Sequence, residues 1–444
     1  MRSESRRSAI PVDDAITGSV TKVRPSLLEG LFLGFTLLIL QGAFIGMSSG
    51  GDADGAETED IRHLISFAVV LIGTGACALR HRQQMLAGAR ANLIYFILPI
   101  IIIVSTIWSV DPALTFKRSV LTTGVCLFDL YVAVAIGADR LLKLVSTTIV
   151  ISALASILVV AALPTVGREV TEGLVGDWRG VFPQKNVLGH VMSIGATIEL
   201  FLLLRAGRPL WLGLARFSLC CLLVVMAHSA SSLLSVVLAS LLFAFYAAFR
   251  RGVASGVICL IVGLSGVALA GAVFGGDASI LYALLDRDPS LSGRTDLWLY
   301  VMDAIRERPY FGWGYLAFWV PDTSRVVYIQ NQIGWPAPNA HNGYLELALS
   351  AGLIGLAGFV MTGVWALRRA ISAMLRPSDL GALLLIVTIQ LLVANLTESF
   401  MIGASVFGWN IFSILVLKAG IEAGMGKAPA VPPISTLARA KARC

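Results

Sequence analysis

Few side chains in this sequence can move a proton or grip an anion, and they stand at a handful of places. His341 and Asn342 lie between Pro336 and Pro338 on one side and an apolar run beginning at Gly343 on the other. The prolines break any helix before the pair, so the imidazole is held at the mouth of a long apolar helix, where water meets lipid. Two readings are open there. The imidazole accepts a proton from an incoming group, or it only caps and anchors the helix at headgroup level. Glu346 follows five residues later and either orients that ring or faces a packed neighbour. Arg179 and Lys185 flank Pro183 where another apolar run starts. Two cations at a helix entrance suit a pyrophosphate, with snorkelling anchors as the alternative. Lys117 and Arg118, after Trp108-Ser109-Val110-Asp111-Pro112, repeat that arrangement. Arg294 follows Ser292-Gly293 at the start of an amphipathic segment. A guanidinium beside free helix N–H groups makes an anion site, and an ordinary exposed arginine is the plain alternative.

Metals and cofactors find no such place. Cys77, Cys126, Cys220, Cys221 and Cys259 fall inside apolar runs and Cys444 is the last residue, with no CxxC and no Cys/His spacing for a metal. We expect no zinc site, no disulfide framework and no cofactor.

The elements that must position these residues are membrane helices. The chain has 444 residues, 57% hydrophobic and 14% charged, with a mean hydropathy of +0.81; globular domains carry about 25% charged residues. The net charge of +7 sits in short basic clusters between apolar runs, a pattern of membrane topology rather than of nucleic-acid binding. A spanning helix needs about 20 mostly apolar residues. That length predicts about twelve spans, at 27–46, 61–79, 92–109, 117–137, 141–163, 186–204, 211–228, 231–249, 253–274, 343–367, 379–397 and 401–418. The first run reads as a retained span rather than a cleaved leader.

With the N-terminus inside, the inner segments carry Arg6, Arg7, Lys22 and Arg24; Arg80 and Arg82; Arg140 and Lys143; Arg205 and Arg208; Arg250 and Arg251; Arg368 and Arg369; then Lys418 and a basic tail. The first outer loop instead holds Asp52, Asp54, Glu57, Glu59 and Asp60. The alternation predicts both termini in the cytoplasm. Arg216, inside the seventh span, is the charge that fits least. The expected division is a tail at 1–26, spans at 27–274 with an outer loop at 164–185, a large outer loop at 275–342, spans at 343–418, and a tail at 419–444.

In the large loop, Leu297, Trp298, Val301, Met302 and Ile305 share one helical face, and Pro309 ends the pattern. This predicts a short amphipathic helix on the membrane or over the spans. The loop carries Arg287, Arg294, Arg306, Arg308 and Arg325 and no lysine. Tyr310, Phe311, Trp313, Tyr315, Phe318 and Trp319, interleaved with Gly312 and Gly314, either stack on sugar rings or form an interfacial belt.

His341-Asn342, nine residues, then Gly352-Leu353-Ile354-Gly355 resembles the outer-loop pattern of the O-antigen ligase and Wzy-type exopolysaccharide polymerase superfamily. RGVFPQKNVLG at 179–189, WSVDP at 108–112 and GRTDLW at 293–298 resemble its exopolysaccharide-polymerase branch. The resemblance implies an all-α, polytopic bundle of GT-C-like type. It also implies a metal-independent glycosyltransferase acting on undecaprenyl-diphosphate-linked glycans at the periplasmic face of the bacterial inner membrane. His341 would take the acceptor's proton, and Arg179, Lys185 and Arg294 would hold the diphosphate, with Lys117, Arg118 and Asn342 as further substrate contacts. The implied partners are the lipid-linked donor and acceptor, membrane lipid, a flippase and chain-length or export proteins, and no nucleic acid. Chemistry of this kind needs one base and a few cations, because a diphosphate already leaves well. A glycosidase would want two facing carboxylates. A ligase moving finished polysaccharide to a lipid or protein acceptor is the sister reading. A lipid-glycan flippase is the reading of another class; it would place ionisable residues at mid-membrane, whereas the polar residues here gather outside.

Overall fold

The computed structural model describes residues 25–44, 61–170, 175–205, 209–259, 261–262, 265, 293–320, 323–374 and 380–425. The expected acidic first outer loop, residues 275–292 of the large loop with Arg287, most of the ninth span and most of both tails lie outside the described residues. Those residues are helical throughout, apart from turns and one isolated bridge between Arg168 and Trp178. The helices are α1 (Leu27–Leu40), α2 (Ile61–Arg80), α3 (Arg82–Ala91), α4 (Ile97–Val104), α5 (Pro112–Ala135), α6 (Ala138–Ala162), α7 (Pro164–Gly167), α8 (Lys185–Leu204), α9 (Leu210–Met226), α10 (Ala230–Arg251), α11 (Arg294–Glu307), α12 (Ser324–Ile333), α13 (Gly343–Met374), α14 (Leu380–Ala394) and α15 (Phe407–Met425).

Five of them, α5, α6, α8, α10 and α13, are long and apolar enough to cross a membrane. A sixth candidate is the pair formed by α3 and residues Leu93–Trp108, bent by 90°. The third expected span is thus preceded by a helix that turns sharply away from it. The helices α1, α9 and α14 are apolar but shorter, as is the Ile65–Arg80 part of α2. The chain is a membrane protein with all-α architecture.

Local sequence explains the helix ends. Ser26 and Glu29 form a reciprocal capping box at the start of α1. Asp111 caps α5 by accepting from Leu114 N, and Pro112 occupies the first turn. At the other end of α5, the Lys418 ammonium donates to Ala133 O at 3.1 Å and Ile136 O at 2.6 Å, where the helix dipole favours a cation. In the bundle, α8 packs against α6, α9 and α10, α14 lies between α10, α13 and α15, and α15 runs along α5. Leu158, Leu241 and Val360 point outward, the surface a bilayer requires. Arg216 donates to Ser146 Oγ at 3.0 Å, and Ser146 donates to the buried carboxylate of Glu199. The misfit charge of the seventh span is therefore part of a polar link between α9, α6 and α8.

The outer loop is a small folded unit. Leu297, Val301 and Ala304 of α11, Val326 and Ile329 of α12, and Phe318, Ala337, Ala340 and Leu349 form its own apolar core; a fully buried Leu or Val contributes about 1.5–3 kcal/mol. Four of the five residues of the expected face take part, with Trp298 and Ile305 packed against this core. The buried stripe is 297/301/304, Met302 is exposed, and α11 packs on α12 and α13. The core of the loop takes up the face that would otherwise lie on a membrane.

The expected continuous span from Gly343 is also broken. Gly352 has φ 62° and ψ −159°, splitting α13. Only glycine adopts that conformation at low cost, and a Cβ there would lie 2.3 Å from Tyr310 O. The loop 309–314 enters at the break. Trp313 N donates to Leu349 O at 2.7 Å and Gly314 N to Ser350 O at 3.1 Å, while Leu353 N donates to Pro309 O at 2.8 Å. The groups that the break strands are thus satisfied by the loop. His341 consequently stands above a separate first segment of α13, which packs on the loop's core through Leu349 and on the bundle through Leu347 and Ala351.

Candidate active site

His341 sits in a turn that other residues hold from three sides. Its φ is 46°, a left-handed backbone rarely adopted by residues other than glycine. Asn339 Oδ1 accepts from His341 N at 2.8 Å. Glu346 Oε2 accepts from Ala340 N at 2.8 Å and from Trp319 Nε1 at 3.0 Å. Trp298 Nε1 donates to Ala340 O at 2.9 Å. Glu346 therefore bonds to the turn that carries the imidazole rather than to the imidazole. Asn342 is the helix cap: its Oδ1 accepts from Tyr344 N at 3.0 Å and Leu345 N at 3.1 Å, and its amide donates to Leu396 O at 3.1 Å.

The partner of the imidazole is Glu398, in the turn between α14 and α15. Its Oε2 lies 3.5 Å from His341 Nδ1, an ion-pair distance too long for a hydrogen bond, and Nδ1 meets no hydrogen-bond partner; ligand-free acid–base pairs are often this loose. Glu398 Oε1 accepts from Arg294 Nη2 at 2.9 Å and from Asn186 Nδ2 at 3.0 Å. Arg294 also donates to Thr397 O. Burial pushes the Glu398 carboxyl up, while the His341 imidazole and the Arg294 guanidinium pull it down; the pull wins and holds it below the usual carboxylate range. Gly343 makes the meeting possible. Its N–H donates to Asn395 O and Glu398 O, and a Cβ there would lie 2.0 Å from Asn395 Oδ1. The ring of Trp335 lies 5.6 Å from that of His341.

The other expected site residues have different surroundings. Arg179 Nε donates to Val166 O at 2.8 Å and Nη1 to Pro183 O at 3.3 Å. The Lys185 ammonium bonds Asp177, which also lies 2.7 Å from His228 Nδ1. These two cations brace their own loop. The loop reaches the His341 site through Asn186 instead. Arg118 donates to Leu316 O, and Lys117 precedes it on α5. The WSVDP segment is a dock: Trp108 Nε1 donates to Phe311 O at 2.7 Å and Val110 N to Trp313 O at 3.0 Å. Tyr315, fully buried, donates to Ile402 O at 3.0 Å. Among the tryptophans, Trp313 Nε1 donates to Ala304 O at 3.0 Å, and its ring lies beneath Arg308 and Arg325 at 4.3 and 4.8 Å. Trp298, Trp313 and Trp319 thus brace the unit, and Tyr310 and Phe311 are the exposed aromatics.

Glu398 and Asn186 escaped the sequence reading as site residues. The signal for Glu398 was a lone carboxylate in the short outer turn between the last two expected spans. Among the described residues there is no group of His, Cys, Asp and Glu that could hold a metal.

The arrangement can accept one proton at His341 Nε2, with the resulting imidazolium facing Glu398 through Nδ1. Residues 215–360, which include His341 and both glycines of the Gly352–Gly355 pattern, match the family model described as O-antigen ligase. The chain is 28% identical over 350 residues to the exopolysaccharide production protein ExoQ of Rhizobium meliloti (strain 1021), covering 72% of this chain and 77% of that protein. About a third of the chain thus matches the O-antigen ligase family model, and most of its length is similar to an exopolysaccharide production protein.

Proposed function

We propose that this protein is a glycosyltransferase of the inner membrane that polymerises undecaprenyl-diphosphate-linked repeat units into exopolysaccharide at the periplasmic face. The membrane character, the family and the ExoQ likeness support the reaction class; the observation that carries the mechanism is the His341–Glu398–Arg294 cluster. The acceptor hydroxyl attacks the anomeric carbon of the donor sugar. Its proton passes to His341 Nε2, the bond from that carbon to the diphosphate oxygen breaks, and the electron pair leaves with the lipid diphosphate. Glu398 orients the imidazole and stabilises the imidazolium. Arg294, the cation nearest the base, holds the diphosphate. Arg179 and Lys185 contribute from the neighbouring loop, directly or by fixing Asn186, and Lys117 and Arg118 lie at the foot of the loop. We place about twelve helices across the membrane in a GT-C-like bundle, with both termini cytoplasmic.

Deletion of the gene tests this reading. Polymerase loss leaves single lipid-linked units and no long surface glycan. The match to the ligase description supports a second reading, transfer of finished polysaccharide to another acceptor; that loss leaves long chains still on carrier lipid. Units trapped on the cytoplasmic side would overturn both in favour of a flippase.

A further inference from the structure

A second set of polar side chains lies inside the bundle, apart from the outer site. Asp129 stands in the last third of α5, one turn after Cys126. Tyr95 comes from the 3-10 turn Leu93–Phe96. Asn410 and Ser413 are one turn apart on α15, which packs along α5. Tyr95, Asp129, Asn410 and Ser413 are fully buried. The Tyr95 hydroxyl lies beside Cys126, Asp129 and Ser413. Yet neither oxygen of Asp129 and neither amide atom of Asn410 has a hydrogen-bond partner in the protein.

Such a set is costly in apolar surroundings, and the cost is greatest for the carboxylate. Lys418, the cation of α15, does not relieve it, because its ammonium is bound to Ala133 O and Ile136 O. Intramembrane carboxylates of this kind are retained where they bind an ion or a proton. A proton on Asp129 would neutralise the charge and is the competing occupant that the test below must separate from an ion. A divalent cation would leave a buried net charge and would want more carboxylates. The donors are hard oxygens with one negative charge in total, which matches a hard monovalent cation.

We propose that this seam binds a sodium ion, held by the Asp129 carboxylate, Asn410 Oδ1, Ser413 Oγ and Tyr95 Oη. The ion would tie α5, α15 and the 93–96 turn together. The same face of α5 carries Thr122, whose hydroxyl lies 3.1 Å from that of Tyr315, the residue that bonds Ile402 O below the Glu398 turn. The seam is therefore continuous with the support of the outer site.

The test reads ion binding rather than glycan synthesis, so it stands whatever reaction the outer site performs. The unfolding midpoint of the purified full-length protein in lipid nanodiscs is measured in sodium chloride and in choline chloride at equal ionic strength and fixed pH. Sodium should raise the midpoint saturably by several degrees over choline. Asp129→Asn should abolish the difference, and Ser413→Ala should demand several-fold more sodium for half of it. If Asp129→Asn does not accumulate, Ser413→Ala and Asn410→Ala carry the decision. Equal midpoints in the two salts, or a sodium response unchanged in these variants, overturn the proposal. A midpoint that depends on pH but not on sodium overturns it too, assigning a proton to Asp129 instead.

Discussion

The two outer loops carry the same kinds of residue and use them differently. In the loop around Arg179, the cations turn inward: the guanidinium binds Val166 O and Pro183 O, and Lys185 binds Asp177. Its apolar residues Val181 and Phe182 are buried in the core of the bundle, and its charges bond close by. The loop from Gly293 to Asn342 has a core of Leu297, Val301, Phe318, Val326 and Ile329. Its shape is fixed by burial and by tryptophan N–H bonds, so His341 and Arg294 are left to face each other's partner, Glu398. Arg294 is held as firmly as Arg179, but by Thr397 O and by the carboxylate that faces His341, whereas Arg179 is held by backbone carbonyls beside its own loop.

That contrast can be broken or sharpened by mutation. His341→Ala should have the largest effect, removing the base and lowering turnover of lipid-linked units by about 10²–10⁴-fold with protein level intact. Glu398→Gln keeps the shape but removes the charge behind the imidazole. Turnover should fall by about 10²-fold, with little change in the apparent affinity for donor. Gly352→Ala should destabilise the outer unit by about 1–3 kcal/mol or more, read as a lower unfolding midpoint, because the left-handed break and the Tyr310 contact both refuse a Cβ.

Arginine substitutions then separate the loops. Arg294→Ala should weaken donor binding and Arg294→Lys should restore it in part. Arg179→Ala should chiefly lower stability. Should it instead weaken donor binding as much as Arg294→Ala, with an unchanged midpoint, the contrast is wrong and Arg179 is a ligand. The smallest effect is with pH. The Glu398 carboxyl is held below its usual value of 4.5, so its contribution to stability is complete above that value and is lost as pH falls through the lower folded value. The difference in midpoint between wild type and Glu398→Gln should be constant above about pH 5 and shrink below it.

Much of this was legible in the sequence. The apolar runs located the helices, since each window at 27–249 and 343–418 contains helix. What could not be read was long-range. Glu398 reaches His341 because two turns far apart in the chain meet across Gly343. The break at Gly352 depends on a loop, 309–314, that fills it. WSVDP and RGVFPQKNVLG carried the family resemblance, and what their residues bond, largely backbone of the protein itself, depends on distant segments. The expected face of α11 differs from the buried one at a single residue: Met302 is exposed, and the smaller Ala304 is buried beside Leu297 and Val301. Apolar size does not decide which stripe a neighbouring helix covers.

The central claim is that His341 takes the acceptor's proton at the outer face with Glu398 behind it. The most direct measurement is chain length of the product made by purified wild type, His341→Ala and Glu398→Gln from the same lipid-linked repeat units, at matched amounts of folded protein. The account predicts long chains from wild type, single units left unjoined by His341→Ala, and slow growth by Glu398→Gln. Long chains from His341→Ala at the wild-type rate would contradict it.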